Sequence, residues 1–85
     1  MWALVYTAEA VNQIERLDAR VRRQVESVLE RLARGDRRGK PLRGELRGIL
    51  SERVGNHRIL YLEKRGQLII LILAIVHRRL AYGGH

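Results

Sequence analysis

The feature that most constrains the fold is the apolar run from Leu68 to Val76, which contains no charged or polar side chain. The run is too short to cross a bilayer as a helix, which needs about 20 residues. It is rich in isoleucine and does not alternate with polar residues, a pattern typical of a strand that is buried on both faces. We therefore expect this strand to lie at the centre of a sheet.

Two further strands are predicted before this run. The first is Leu46 to Val54, which Gly48 weakens, and the second is Arg58 to Glu63. Gly55-Asn56 between them is a two-residue hairpin signal, and Lys64 to Gln67 predicts a second turn. The second half of the chain is therefore expected to form a three-strand meander.

The first half of the chain has a helical period after a short strand at Trp2 to Tyr6. Thr7 can cap a first helix and Asp18 a second, and Gly35 can end the second helix in a left-handed conformation. The predicted apolar stripes are Val11, Ile14 and Leu17 in the first helix and Val21, Val25, Val28, Leu29 and Leu32 in the second. This order predicts an α+β fold in which the helix pair covers one face of the sheet and leaves the other to solvent or a ligand.

The chain has 85 residues, which predicts one domain, and it carries 17 basic against 9 acidic residues, a net charge of +8. Almost all of the basic residues are arginine, since the only lysines are Lys40 and Lys64. Guanidinium groups bind phosphate in bidentate fashion, so this excess suits a phosphate-rich partner. An acidic protein partner, or a preference for arginine as a solubilising residue, fits the same composition.

Several kinds of site and location are disfavoured by what the sequence lacks. The chain has no cysteine, which excludes a disulfide scaffold, a thiolate metal site and a cysteine nucleophile. His57, His77 and His85 do not have the spacing of metal ligands. We therefore expect no metal and no cofactor. Met1 to Leu4 lacks the features of a signal peptide, so a cytoplasmic protein that does not contact a membrane is expected.

Strand alternation gathers candidate functional residues near one edge of the sheet. Arg53 precedes the hairpin and Arg58 follows it, and the central strand ends in His77 to Arg79, with Tyr82 shortly after. Such a group could cleave RNA through the 2′-hydroxyl of the RNA itself. That reaction needs a base, an acid, and cations that stabilise the transition state. The same residues would also suit a solvated surface, so this pattern alone supports only a basic α+β domain that could bind RNA.

Arginine can supply the cations without a metal, whereas His77 or Tyr82 could transfer protons. Tyr82 could instead stack on a base and orient the nucleotide.

Three segments in order resemble the RelE branch of the RelE/ParE toxin superfamily. They are Gly39-Lys-Pro-Leu-Arg-Gly44, Arg53-Val-Gly-Asn-His-Arg-Ile-Leu-Tyr61 and His77-Arg-Arg-Leu-Ala-Tyr82. The first half agrees, from Thr7-Ala-Glu-Ala10 to the helix end near Gly35. The resemblance covers nearly the whole chain. It implies a single toxin domain over residues 1–85, with a twisted antiparallel sheet and two helices on one side.

The resemblance also implies a function. RelE-type toxins are held silent by a separate antitoxin chain, enter the ribosomal A site and cut the bound messenger RNA. They use no metal or cofactor, and the 2′-hydroxyl is the nucleophile. The expected partners are therefore an antitoxin, the ribosome and messenger RNA.

Roles carry over to matching positions. The resemblance implies that Arg58 stabilises the transition state, Arg78 contacts the scissile phosphate, and Tyr82 stacks on or activates the nucleotide. His77 matches a position compatible with proton transfer, and Arg53 one that binds RNA or the ribosome. The further residues expected to bind RNA or the ribosome are Lys40, Arg43, Arg47 and Arg79.

The chain also departs from the family. The best-known branch carries two lysines, implied to act as acid and base, where this chain has Ile49 and Ser51. The base then shifts to His77 or Tyr82, or activity is weaker. Glu52 stands where an apolar residue is common.

Two alternatives stay open beside the ribonuclease. The chain could be a ParE-like toxin that poisons DNA gyrase by protein binding, although such a toxin has no need for the combination of His77, Arg78 and Tyr82. It could also be a decayed toxin that binds RNA or the ribosome without chemistry, which the missing lysines favour.

Overall fold

A computed structural model describes residues 1–80 of the chain, without the side chain of Leu80. The strands are β1 (Ala3–Tyr6), β2 (Lys40–Pro41), β3 (Leu50–Val54), β4 (His57–Lys64) and β5 (Ile69–His77). The helices are α1 (Ala8–Arg16) and α2 (Ala19–Ala33), and short 3₁₀ turns span Gly44–Leu46, Arg65–Gln67 and Arg78–Leu80. In this part of the chain, neither helix has the length and apolar character needed to cross a membrane.

The five strands form one mixed sheet in the order β1-β5-β4-β3-β2. The meander of β3, β4 and β5 is antiparallel, as predicted, with the hairpin turn at Gly55-Asn56. β1 pairs with β5 in parallel, and β2 pairs with β3 as an edge strand of two residues that was not predicted. The fold is α+β, as expected. The middle strand of the sheet is β4, however, and not β5.

The predicted helix caps are confirmed. The Thr7 hydroxyl accepts a hydrogen bond from the Ala10 N–H at 3.0 Å, and the Asp18 carboxylate accepts one from the Val21 N–H at 2.9 Å. These side chains satisfy backbone donors that have no partner inside the first turn of a helix. Gly35 follows the end of α2 with φ +97°, the left-handed conformation that glycine adopts without a steric cost.

The core lies between α2 and one face of the sheet. Its largest fully buried side chains are Val25, Leu32, Ile59, Tyr61, Ile70 and Ile72. α2 presents the predicted stripe, in which Val25, Leu29 and Leu32 are buried. Both helices therefore cover one side, and we call the helix-free side of the sheet the open face.

The expectation that the apolar run is buried on both faces was wrong. Ile70 and Ile72 are fully buried on the helix side, whereas Leu71, which pairs with Leu62 on the open face, is only partly buried, because both helices of residues 1–80 lie on the other side. A β-bulge at Leu73 interrupts the alternation, since Leu60 pairs with Ala74 and Tyr61 with Ile72.

Two backbone groups of β5 close to this bulge are bound by α1 and its cap. The Leu73 carbonyl accepts from the Thr7 hydroxyl at 2.7 Å, and the Ile75 N–H donates to the Gln13 side chain at 2.6 Å. Polar α1 side chains thus replace a neighbouring strand beyond the end of β1.

Two smaller expectations also fail. The strand predicted at Leu46 to Val54 begins only at Leu50, because Gly48 has φ +97° and ends a turn that starts at Gly44. Val11 is 41% exposed rather than part of a buried stripe, since α1 packs mainly through Ala10.

Candidate active site

Arg53 and Arg58 lie directly opposite each other across the hairpin of β3 and β4. Their neighbours Val54 and Ile59 are buried in the core, so strand alternation places both arginines on the open face. Like charges directly opposite each other destabilise a sheet. This pairing therefore indicates a surface suited to an anionic ligand.

A cleft of about 380 Å³ opens on this face beside the edge strand β2. Its lining residues are Arg38, Lys40, Pro41, Leu42, Ser51, Arg53 and Arg58, and we call it the cationic cleft. Lys40 pairs with Ser51 in the β2–β3 register, which places the lysine on the same face as Arg53. Four cationic side chains around one cleft make it suited to phosphate groups.

The carboxylates of the same two strands project to the helix side. The Arg31 guanidinium binds Glu52, and the Arg37 guanidinium binds Glu63. Alternation thus separates the charges of β3 and β4. Their carboxylates lie on the helix side, where Arg31 and Arg37 compensate them, and their arginines lie on the open face. In the cleft lining, Arg38 forms an ion pair with Asp36 at 3.2 Å.

Glu52 also fixes the rim of the cationic cleft. One of its carboxylate oxygens accepts hydrogen bonds from the Arg38 backbone N–H at 3.1 Å and from the Tyr61 hydroxyl at 3.3 Å. Burial, reinforced by the carboxylate of Glu52, raises the pKa of Tyr61 to about 12. Glu52 therefore has a structural role, because it anchors the loop that carries Arg38.

The structure does not bring His77 together with Arg58. The His77 ring packs edge-on against His57, with centroids 5.2 Å apart, beside a helix-side cavity of about 330 Å³ near Asp18. Its Nδ1 accepts the backbone N–H of Arg79 at 3.2 Å. Burial lowers the pKa of His57, as does the nearby His77, while Asp18 acts in the opposite direction.

Arg78 and Arg79 are exposed in the 3₁₀ turn that follows β5. The Arg78 backbone N–H donates to the Asn56 carbonyl at 2.8 Å, which holds this turn against the tip of the hairpin. With Asn56 and His77, the two arginines line another cleft, of about 390 Å³. They therefore lie at the same end of the sheet as Arg58.

The other predicted residues are placed as follows. Arg43 and Arg47 are exposed on either side of the Gly44–Leu46 turn and do not line the cationic cleft. Tyr82 lies outside the described residues. Arg38 lines the cleft but was not among the predicted residues, because the two-residue strand that follows it gives no periodic signal in the sequence.

The chemistry available to the cationic cleft follows from its lining. Guanidinium groups can bind a phosphate and stabilise the extra charge of a phosphorane-like transition state, but they do not release their protons. Lys40 and Ser51 are the lining residues with an ammonium and a hydroxyl group. Among residues 1–80, no three His, Asp or Glu side chains are grouped so that they could hold a metal ion.

Comparisons with known proteins agree on one family. Residues 4–82 match the family model described as the ParE toxin of a type II toxin–antitoxin system, parDE. In the toxin–antitoxin complex RelBE2 from Mycobacterium tuberculosis, a chain is 33% identical with a TM-score of 0.74, covering 91% of this chain and 98% of that chain. The YoeB/ParE toxin from Agrobacterium tumefaciens is 25% identical with a TM-score of 0.74, covering 88% and 96%.

The isolated RelE toxin from E. coli shares the fold at 16% identity, with a TM-score of 0.78 and coverage of 91% of this chain and 84% of that chain. Comparison with curated proteins gives no match.

Proposed function

We propose that this chain, which belongs to the ParE toxin family of type II toxin–antitoxin systems in the RelE/ParE superfamily, is a ribosome-dependent endoribonuclease that inhibits translation by cutting messenger RNA. The nucleophile in this proposal is the RNA 2′-hydroxyl, which attacks the adjacent phosphorus. The membership rests on the match over residues 4–82 and on the 33% identity to a chain of RelBE2.

The observation that carries the proposal is the cationic cleft. Arg53 and Arg58 are paired on the open face, and Arg38 and Lys40 complete a lining that a phosphate could enter from solvent. A toxin that acts only by covering a protein target gains nothing from a concave phosphate site. Concave cationic sites stabilise charge that develops in phosphoryl chemistry.

The individual roles are assigned on this basis. Arg58 is partly buried in the cleft, and we assign it to the transition state, with Arg53 and Arg38 as phosphate ligands. Arg78 is proposed to contact the scissile phosphate from the end of β5, and Tyr82 to stack on the nucleotide.

His77 faces away from the cationic cleft, so we assign it a positioning role. Its Nδ1 accepts from Arg79, which orients the turn that carries Arg78.

The exposed arginines outside the cleft are proposed to contact ribosomal RNA. Arg43, Arg47 and Arg79 are all exposed, and the chain has a net charge of +8. Binding through phosphate contacts releases counterions, so the affinity for ribosomes should fall steeply with salt.

An antitoxin partner is supported by the RelBE2 structure, a toxin–antitoxin complex. We propose that its toxin-binding segment is acidic and covers Arg58 or Arg78. Charge complementarity of this kind would make the complex much less basic than the free toxin.

The test is primer extension on a translated messenger after brief induction of the chain in bacteria. Cuts should appear in reading-frame register, and Arg58→Ala should slow them by about 10²–10³-fold, since one transition-state donor contributes that much. Arg78→Ala should also reduce cutting. Arg23→Ala is the matched control, because Arg23 is exposed on α2, far from the cleft, and should leave the cuts unchanged.

A second candidate function is favoured by the matched model itself, which describes a ParE toxin. Growth arrest with intact messenger, together with inhibition of supercoiling by purified gyrase, would support a ParE-like gyrase poison instead. If the chain neither cuts messenger nor inhibits gyrase but still binds ribosomes, it is a toxin homologue that has lost its catalytic activity.

A further inference from the structure

The cationic cleft contains one side chain that can give up a proton while carrying a positive charge. The guanidinium groups of Arg38, Arg53 and Arg58 are poor proton donors, because their charge is delocalised over the whole planar group. Lys40 is the only lysine in the lining, and the other lysine of the chain, Lys64, lies at the far end of β4. A lysine ammonium can both bind a phosphate oxygen and act as a general acid.

The strand register places Lys40 where the reaction needs it. β2 pairs Lys40 with Ser51, and Ser51 shares its face with Arg53, two residues along β3. Side chains of directly opposed residues have Cβ atoms about 4.5–5.5 Å apart. Lys40 thus reaches the cleft from the edge strand β2, directly beside Ser51 of β3.

Ser51 provides independent evidence for a ligand site in the part of the cleft next to Lys40. The residue is 6% exposed and lines the cleft, and its Oγ has no hydrogen-bond partner among residues 1–80. Buried hydroxyl groups without a partner are rare in native proteins. A phosphate or sugar oxygen bound beside Lys40 would supply the partner.

The other proton-transfer candidate whose position is described does not reach this corner. His77 lies on the helix side of the sheet, against His57, while Lys40 and Arg58 line the open face. The geometry therefore favours a proton donor from β2.

We propose that Lys40 is the general acid of the RNA cleavage proposed above, and this inference rests on that function. The 2′-oxygen forms a bond to phosphorus as the bond from phosphorus to the 5′-oxygen breaks. The electron pair of the broken bond stays on the 5′-oxygen, which takes a proton from the Lys40 ammonium. Water accepts the 2′-hydroxyl proton and returns a proton to the Lys40 amine, so the products are a 2′,3′-cyclic phosphate and a 5′-hydroxyl.

The experiment measures single-turnover cleavage of a messenger on purified ribosomes with an empty A site, across a range of pH. Lys40→Arg keeps the charge but removes the transferable proton, so cleavage should fall by about 10²–10⁴-fold, the usual contribution of a general acid. Lys64→Arg is the matched control and should cleave at the wild-type rate. Binding of both variants to ribosomes should be unchanged.

A chemical rescue separates proton transfer from charge. The chain has no cysteine, so a cysteine introduced by Lys40→Cys can be aminoethylated at that site alone. The resulting thioether amine is more acidic than lysine. It should restore cleavage and move the alkaline limb of the pH–rate profile to lower pH. Aminoethylated Lys64→Cys should leave that limb in place.

The outcomes distinguish the two claims. If Lys40→Arg cleaves at the wild-type rate with an unchanged pH profile, Lys40 binds phosphate only and the inference is overturned, while the proposed function stands. If the wild-type chain leaves the messenger intact, the proposed function is wrong and the role of Lys40 fails with it. Both claims are supported if Lys40→Arg loses cleavage and if aminoethylated Lys40→Cys restores it with the alkaline limb of the pH–rate profile at lower pH.

Discussion

Replacing Glu52 tests whether the charge separation across the sheet also holds the fold together. The Glu52 side chain is 5% exposed and binds the Arg31 guanidinium, and it also accepts from the Arg38 backbone N–H and the Tyr61 hydroxyl. Glu52→Ala removes the acceptor from all three donors and leaves the Arg31 charge without its main partner. We therefore expect a large loss of stability from one substitution.

The magnitude follows from these contacts. Removing one partner of a buried ion pair costs about 3–5 kcal/mol. Arg31 keeps 19% of its side chain exposed and also approaches Asp36 at 3.9 Å, so its charge stays partly compensated. We expect a loss of about 3 kcal/mol, a large part of the roughly 4–13 kcal/mol typical of a chain this size.

The assay is equilibrium unfolding in urea, followed by the fluorescence of Trp2, the only tryptophan, which stacks on Arg37 at 4.2 Å. The double variant Arg31→Met/Glu52→Leu should be more stable than Glu52→Ala, because it removes the uncompensated Arg31 charge, but it should stay below the wild type, because the Arg38 N–H and the Tyr61 hydroxyl still lack their acceptor. Glu30→Ala, an exposed acid on α2, is the control. A loss below about 1 kcal/mol in Glu52→Ala, or a double variant no more stable than the single, would refute the reasoning.

Three further predictions concern the same regions. Gly39→Ala should cost about 1–3 kcal/mol in the urea assay, because its Cβ would collide with the Tyr61 hydroxyl, and unchanged stability would contradict this contact. The free energy of unfolding should fall as the pH drops below 6.5, because the lowered pKa of His57 means that the unfolded chain binds the proton first. His57→Gln should weaken this pH dependence. A wild-type stability that rises on acidification would disprove it. Ser51→Ala should stabilise the free chain by about 1 kcal/mol yet slow RNA cleavage, whereas a destabilised variant would mean that the hydroxyl is already bonded.

The sequence predicted the features that depend on local periodicity and on capping chemistry. Thr7 and Asp18 begin the two helices as expected, and Gly55-Asn56 forms the hairpin. The prediction that neighbouring strands gather arginines near one edge of the sheet also agrees with the structure, in which Arg58 and Arg78 lie at the same end. These features are set by neighbouring residues, so no tertiary information is needed.

What the sequence could not supply depends on contacts between distant segments. The pairing of Lys40 with Ser51 comes from a two-residue strand, and its register is set by the loop and by the bond from Arg38 to Glu52. The position of His77 opposite His57 follows from the register of β4 and β5, including the bulge at Leu73. The apolar run suggested burial on both faces because hydrophobicity alone does not reveal that both helices of residues 1–80 lie on one side of the sheet.

The central claim is that the chain cuts messenger RNA by attack of the 2′-hydroxyl, with charge stabilised in the cationic cleft. The most direct test gives the purified chain ribosomes that carry either an all-ribose messenger or the same messenger with one 2′-deoxynucleotide immediately before the scissile phosphate. The account predicts cleavage of the first to a 2′,3′-cyclic phosphate and no cleavage of the second at that bond. Equal cleavage of both messengers, or of neither, would contradict it.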